Sequence, residues 1–186
     1  MFETRIHGRG GQGVVTAAEL LSLAAFDAGL HAQAFPSFGS ERMGAPVVAF
    51  CRTDEKPIRT REPIAEPDGL IVQDASLLHQ VAVFEGLRRG GWVLVNSGRT
   101  AADLGLDELA ARVVTVPATD IAREELGRPL PNAALLGGFI AATRLVTFDS
   151  LAGAIADTFS ARIADANIAA ATRAHAHVIA ELGAPA

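Results

Sequence analysis

Cysteine and lysine are almost absent: Cys51 and Lys56 are the sole examples among 186 residues. A lone cysteine rules out an intrachain disulfide, and it cannot by itself hold a thiolate-ligated iron–sulfur cluster. Any redox centre is therefore expected on another chain. With one lysine and a formal net charge of -5, there is no general basic surface for nucleic acid, although arginines could cluster locally. The sequence has no basic start followed by an apolar stretch and a small-residue cleavage site. It also lacks an apolar run of the roughly 18 residues that a membrane span needs. A cytoplasmic protein without membrane insertion is expected. What is abundant is apolar side chain, 49% of the residues, enough for one domain of this length to bury a substantial core.

The strongest local signal lies in the first thirty residues. A short apolar strand, Thr4 to His7, runs into Gly8-Arg9-Gly10-Gly11-Gln12-Gly13 and then into a helix-forming run from Val14 to Ala28. Glycines let the backbone turn sharply and let another group come close, while the free N–H groups and dipole at a helix start favour negative charge. Arg9 adds a permanent cation and Gln12 an amide. The loop is expected to meet a phosphate or carboxylate.

Along the chain, Val14, Ala17, Ala18, Leu21, Ala24, Ala25 and Ala28 share one helix face. Gly29 suits the residue past the helix end, and His31 to Phe35 reads as a second strand closed by Pro36, which completes a βαβ unit. Pro36 to Pro46 is a long loop framed by glycine and proline, of the kind that often carries function. Val47 to Arg52 and Pro57 to Thr60 read as antiparallel strands at an edge of the sheet, joined by a polar turn. Further strands are expected at Gly69 to Val72, Trp92 to Val95 and Val113 to Val116. Helices are expected at Ala75 to Leu87, Ala101 to Arg112, Ile121 to Leu126 (capped by Thr119-Asp120), Ala133 to Leu145, Ser150 to Phe159 and Ile163 to Leu182. Gly137-Gly138 would let the fourth of these pack closely. The pattern predicts an α/β fold: a single three-layer Rossmann-like domain over 1–186, with a mixed, mostly parallel sheet and C-terminal helices.

The glycine pattern matches the dinucleotide fingerprint in spacing and context, but the second strand ends in Ala34-Phe35-Pro36 with no acidic residue for a ribose. It is not a Walker A loop, since no Gly-Lys-Ser/Thr follows. The glycines could also serve only close strand-to-helix packing. Glu41-Arg42 would ordinarily be a solvated pair, yet its loop leaves the second strand near the carboxyl edge of the sheet, so Arg9 and Arg42 could share one anion. His175 and His177 point to different helix faces and make no metal site. His7 reads as a packing residue and Cys51 as a small core residue. Ser97 and Asp74 each follow a strand end, so a Ser–His–Asp arrangement can be imagined, but the nucleophile elbow G-x-S-x-G is absent and Asn96-Ser97-Gly98 reads as a turn. No catalytic set and no metal site is found.

Taken together, Gly8 to Thr16, Pro36 to Pro46, Glu66-Pro67-Asp68, and Asn132 ahead of Leu136-Gly137-Gly138 carry a resemblance over nearly the whole chain. The sequence resembles the gamma subunit or domain of 2-oxoacid:ferredoxin oxidoreductases, whose best-known member acts on pyruvate. The resemblance implies a single gamma-type catalytic domain over 1–186, part of a complex that decarboxylates a 2-oxoacid on thiamine diphosphate and commonly yields an acyl-CoA. It implies that thiamine diphosphate and magnesium sit on alpha and beta partner subunits, that iron–sulfur clusters sit on a further subunit, and that ferredoxin or another acceptor takes the electrons. The gamma chain would carry no cofactor alone, but would help assemble the complex and receive coenzyme A. Carried over residue by residue, Gly8, Gly10, Gly11, Gln12 and Gly13 fall on the family's glycine motif, and Phe38, Gly39, Glu41, Arg42, Gly44 and Pro46 on its second loop. With Arg9 added for its charge, the expected cofactor-facing positions are Gly8, Arg9, Gly10, Gly11, Gln12, Gly13, Phe38, Gly39, Glu41 and Arg42. Met43 departs from the pattern, standing where the family often has a second arginine. A free-standing Rossmann-type nucleotide-binding oxidoreductase and a structural scaffold remain as alternatives.

Overall fold

The computed structural model describes residues 1–37 and 43–183. Six strands among them form one sheet: β1 (Phe2–Arg9), β2 (His31–Pro36), β3 (Pro46–Asp54), β4 (Gly69–Val72), β5 (Trp92–Asn96) and β6 (Arg112–Val116), in the order β2-β3-β1-β4-β5-β6. β1, β4, β5 and β6 are mutually parallel, whereas β3 is antiparallel to both its neighbours. β2 therefore runs the same way as β1, and the expected βαβ unit exists with β3 slotted between its two strands.

This corrects the sequence reading of β3 as an edge strand hairpinned to Pro57–Thr60. Both sides of β3 are already taken by β1 and β2, so residues 57–60 cannot pair with it and form no strand; the chain that follows lies over the face of the sheet. Arg52 donates to the Glu62 carbonyl at 2.6 Å and Arg5 to the Ile64 carbonyl at 3.4 Å, fastening that crossing down.

One face of the sheet is covered by α1 (Val14–Asp27), α2 (Ala118–Leu126), α3 (Asn132–Thr143), α4 (Phe148–Thr158) and α5 (Ala161–Gly183). No helix among the described residues is long and apolar enough to cross a membrane. α3 is apolar on every side because it is buried on every side, lying against the sheet and touching each of the other four helices. Its Gly137 permits this: an added Cβ would collide with the Ala171 carbonyl of α5.

Among the described residues the opposite face is covered without α-helix. Leu70, Val72, Val93 and Val95 pack beneath Leu78, Phe84, Leu87, Leu104 and Leu109, which come from short 3-10 turns and loops. The helices expected at Ala75–Leu87 and Ala101–Arg112 shrink to 3-10 turns at Ala75–His79 and Ala102–Leu104. Arg5 supplies the reason in the first case, since its guanidinium takes the Val83 and Glu85 carbonyls at 2.9 and 2.5 Å, the groups a helix would have used. In the second, Gly105 turns left-handed (φ 70) and ends the turn. The start of α2 also differs from expectation. Thr119 does not cap it; the Asn96 side chain at the end of β5 accepts from the Thr119 N–H at 3.1 Å and donates to its hydroxyl at 2.7 Å.

Candidate functional site

β1 delivers the glycine loop to the edge where β1, β4, β5 and β6 all end. α1 carries the chain from β1 towards β2, while β4 lies on the other side of β1, so this edge is a switch point where open α/β sheets bind ligands. The loop leaving β2 returns to the same place: Met43 bridges Gly10, Gly10 donates to the Ala45 carbonyl at 2.9 Å, and Gly44 donates to the Gly10 carbonyl at 3.0 Å. The two glycine-framed loops therefore meet. Phe38, Gly39, Glu41 and Arg42, named from the sequence, lie outside the described residues.

Arg9 and Gln12 are committed within the chain. Arg9 donates from Nε to Asp74 at 3.0 Å, from Nη1 to the Gly44 carbonyl at 3.1 Å, and from Nη2 to Ser76 and Gln80 at 2.6 and 2.8 Å. Gln12 accepts from the Arg9 N–H at 2.8 Å and donates to Asp74 at 3.1 Å. Asp74 is the hub. Burial opposes its ionisation, but hydrogen bonds from Ser76 and Gln12 and the charge of Arg9 outweigh that, holding its carboxyl below the ordinary value. The sequence reading weighed Asp74 only as a member of an imagined triad. The signal that it mattered was Asp74-Ala75-Ser76 after a strand, the pattern of a side chain accepting from the backbone two residues on.

The other side of the glycine loop opens onto a cleft of about 780 Å³. Gly11, Gly13 and Thr16 form one wall, Arg128, Leu130 and Asn132 a second, and Phe159, Ser160, Arg162 and Asn167 a third. Three helices thus start at this cleft. Gly13 is the residue before α1 and takes a left-handed φ of 72, while a Cβ there would fall 2.7 Å from the Asn132 amide nitrogen. Only glycine satisfies both demands. Asn132 entered the sequence reading through the resemblance alone, and Arg128 and Arg162 were missed: nothing local marks a single arginine beside a helix start.

Comparison with known proteins follows the same outline. The family model described as pyruvate ferredoxin/flavodoxin oxidoreductase matches residues 3–177. The chain belongs to that family. It is 48% identical over 175 residues to the pyruvate synthase subunit PorC of Methanothermobacter marburgensis, covering 94% of this chain and 96% of that one. It is 48% identical to the pyruvate/ketoisovalerate oxidoreductases common subunit gamma of Pyrococcus furiosus, covering 94% and 96%. The crystal structure of pyruvate oxidoreductase subunit PORC from Thermotoga maritima superposes with a TM-score of 0.82 at 36% identity, covering 94% and 95%. The 2-oxoglutarate:ferredoxin oxidoreductase of Magnetococcus marinus, solved with 2-oxoglutarate, coenzyme A and succinyl-CoA bound, shares the fold at 18% identity and a TM-score of 0.79; this chain spans 31% of it. Within the family the chain is a gamma-type subunit of a multi-subunit 2-oxoacid oxidoreductase.

Cys51, His175 and His7 have structural roles. Burial pushes the Cys51 thiol up to about 12, so it stays protonated. His175 packs edge-on against Phe148, their rings 5.3 Å apart. His7 is buried and accepts at Nε2 from Arg5 at 3.0 Å, which puts its own proton on Nδ1. Burial first, then the Arg5 charge, lowers its pKa from 6.5 to about 4. Between those values the unfolded chain takes up a proton that the folded chain refuses, so this stability is whole above pH 6.5 and is lost as pH falls towards 4. The loss should reach about 3 kcal/mol. His7→Gln keeps an acceptor for Arg5 and does not titrate. Urea midpoints taken across that window should fall less steeply with acidification for the variant than for the native chain; equal slopes would contradict the assignment.

Proposed function

We propose that this chain works in the cytoplasm as the gamma subunit of a thiamine-diphosphate and iron–sulfur dependent 2-oxoacid:acceptor oxidoreductase, helping to assemble the complex and to receive coenzyme A. In this reading alpha and beta subunits hold thiamine diphosphate and magnesium and decarboxylate the 2-oxoacid, with pyruvate the first candidate from the relatives' names. A further subunit carries clusters that pass electrons to ferredoxin or another acceptor. Residues 1–186 act as one gamma-type domain.

The observation that carries the reading is the cleft beside the glycine loop, where helix starts and two arginines face a single cavity. A coenzyme with several phosphates fits that chemistry. The glycine loop would meet the coenzyme through the backbone of Gly11 and Gly13, the two glycines that line the cleft. Gly8 and Gly10 would set the course of the loop. Arg9 and Gln12 would hold the loop to Asp74 rather than grip the ligand, because their polar groups are already engaged. Phe38, Gly39, Glu41 and Arg42 enter through the sequence alone. A free-standing nucleotide-binding oxidoreductase is the weaker reading, since β2 ends without an acidic residue and the chain belongs to a family of complex-forming oxidoreductases.

Affinity-tagged full-length chain, purified from its native host, should bring down subunits containing thiamine diphosphate and iron–sulfur clusters. The assembly should reduce a viologen dye with a 2-oxoacid, in a reaction that falls to background without coenzyme A. A lone chain that binds NADH stoichiometrically would overturn the proposal.

A further inference from the structure

β2 ends the sheet on one side, and among the described residues no strand lies beyond it. Its register with β3 fixes which backbone groups look outward. Ser37 donates to the Val48 carbonyl at 2.8 Å, so by the alternation of an antiparallel ladder His31, Gln33 and Phe35 bond to β3, while Ala32 and Ala34 turn their N–H and C=O groups away from it. The other edge of the sheet is treated differently: the His177 ring of α5 donates to the Thr115 carbonyl of β6 at 3.1 Å. Charged side chains, proline or a covering element ordinarily blunt an exposed edge. β2 carries no carboxylate, lysine or arginine, and its proline comes only at the end.

The helix beside this edge is apolar on the same side. α1 lies over β2 and β3, and a groove of about 510 Å³ runs between it and Ala32 and Ala34. Leu23 lines the groove and is 47% exposed; Phe26, three residues on and so on the same helix face, is 75% exposed. Glu19 is the one charged side chain bordering the groove, and it is exposed and free to turn to water. An open strand edge and an uncovered apolar helix face therefore lie side by side. Together they call for an extended strand with a helix behind it, which is what β2 and α1 themselves are.

We propose that two copies of this chain join edge to edge through β2, about a two-fold axis at Gln33, so that their sheets become one continuous sheet. This register uses all the outward groups of the two alanines, because Ala32 of each copy exchanges both of its backbone bonds with Ala34 of the other. Gln33 then meets Gln33 of the copy, amide to amide, and His31 stands opposite Phe35. Such an interface must complement itself, and an uncharged edge centred on one residue does so. The helices fit the same operation. Strands lie about 4.8 Å apart, so an axis beside β2 sets the two α1 helices, each above the gap between β2 and β3, about 10 Å apart. That is the distance at which helices pack, and Leu23 and Phe26 close the seam between them. The pairing does not depend on the coenzyme A reading.

The test uses the full-length chain, alone and in the assembled complex. Opposite residues of a non-hydrogen-bonded pair stand about 4.5 Å apart at Cα, within reach of a disulfide. Gln33→Cys should therefore oxidise to a covalent dimer of this chain, whereas His31→Cys should not, because Phe35 of the copy lies opposite. Cys51 is buried and does not interfere. Ala34→Pro deletes an outward N–H and no bond to β3, so it should leave the circular dichroism spectrum unchanged and weaken dimerisation about tenfold or more in sedimentation runs. Leu23→Glu should weaken it through the helix seam without touching the strand. A chain that is monomeric alone, and whose Gln33→Cys variant forms no dimer in the complex, overturns the proposal. So does a dimer that survives both Ala34→Pro and Leu23→Glu, or that links as readily through His31→Cys, since the copies then meet elsewhere or in another register. Loss of a different subunit from the complex with Ala34→Pro, in the absence of any Gln33→Cys dimer, gives the edge to that subunit and overturns the two-fold pairing.

Discussion

Gly137→Ala should lower the stability of the chain by about 3 kcal/mol, at the upper end of what one added methyl does in a packed interior. In a free helix the same change stabilises by roughly 0.5–1 kcal/mol, because alanine has less backbone freedom to lose. Here the helix cannot use that gain. The new Cβ would stand 2.7 Å from the carbonyl carbon of Ala171, nearer still to its oxygen, and both are backbone atoms. α5 would have to move away from α3, and α3 cannot retreat because it is backed by the sheet and buried along its length. For a chain of this size the loss corresponds to a fall of about 6–12 °C in melting temperature. Gly153→Ala is the matched control. That glycine lies within α4, is exposed, and has nothing within 4 Å of an added Cβ, so the melting temperature should rise by about 1–3 °C. The two alanines should therefore act in opposite directions. If both stabilise, α3 and α5 are not packed backbone against backbone.

The α3–α5 contact was partly legible in the sequence, since Gly137-Gly138 inside an apolar helix is hard to explain unless another backbone comes close. The parallel strands, the glycine loop and the helices α1 to α5 could also be read, because each rests on a local pattern of apolar spacing and breakers. Where the reading failed, the deciding contact was distant in the chain. Residues 75–87 have apolar spacing that suits a helix, but Arg5, some 78 residues away, takes the Val83 carbonyl. β3 looks like half of a hairpin until β2 arrives on its outer side and β1 on its inner side.

The candidate site divides in the same way. Gly8 to Gly13 announced a close approach at a helix start, and the structure gives Gly11 and Gly13 positive φ beside a cleft. The use of Arg9 was not legible, because Asp74, Ser76 and Gln80 reach it only once β4 has docked beside β1. Arg128, Asn132 and Arg162 come together from a loop and two helix starts with no shared spacing. Their convergence depends on α3 passing through the middle of the helical layer.

Glu3→Ala should cost about 3–5 kcal/mol, the range found when one partner of a buried ion pair is removed. β1 is buried on both faces, and the face away from the helices carries Glu3, Arg5 and His7 instead of apolar residues. Arg52, 3% exposed, donates to Glu3 at 2.8 Å and stacks 5.3 Å above the Phe35 ring. Its Nη1 is already buried without a partner, so removing Glu3 would leave this guanidinium with the Glu62 carbonyl alone. Arg88, 3.5 Å from the other Glu3 oxygen, is half exposed and bound to Asp68 at 2.9 Å, so it can turn to water and suffers little. Arg52→Met should therefore cost less than Glu3→Ala, because the Glu3 carboxylate keeps Arg88. Combining Glu3→Leu with Arg52→Met removes both charges and fills the space with apolar groups, which should recover most of the loss. Urea midpoints for Glu3→Leu, Arg52→Met and the double variant would read the coupling directly. The ordering should hold at 0.1 and 1 M salt, since a pair this buried is screened little. Simple additivity of the single losses would mean that the charges are not what ties the 55–68 crossing to the sheet, and that Arg52 serves mainly as a spacer over Phe35.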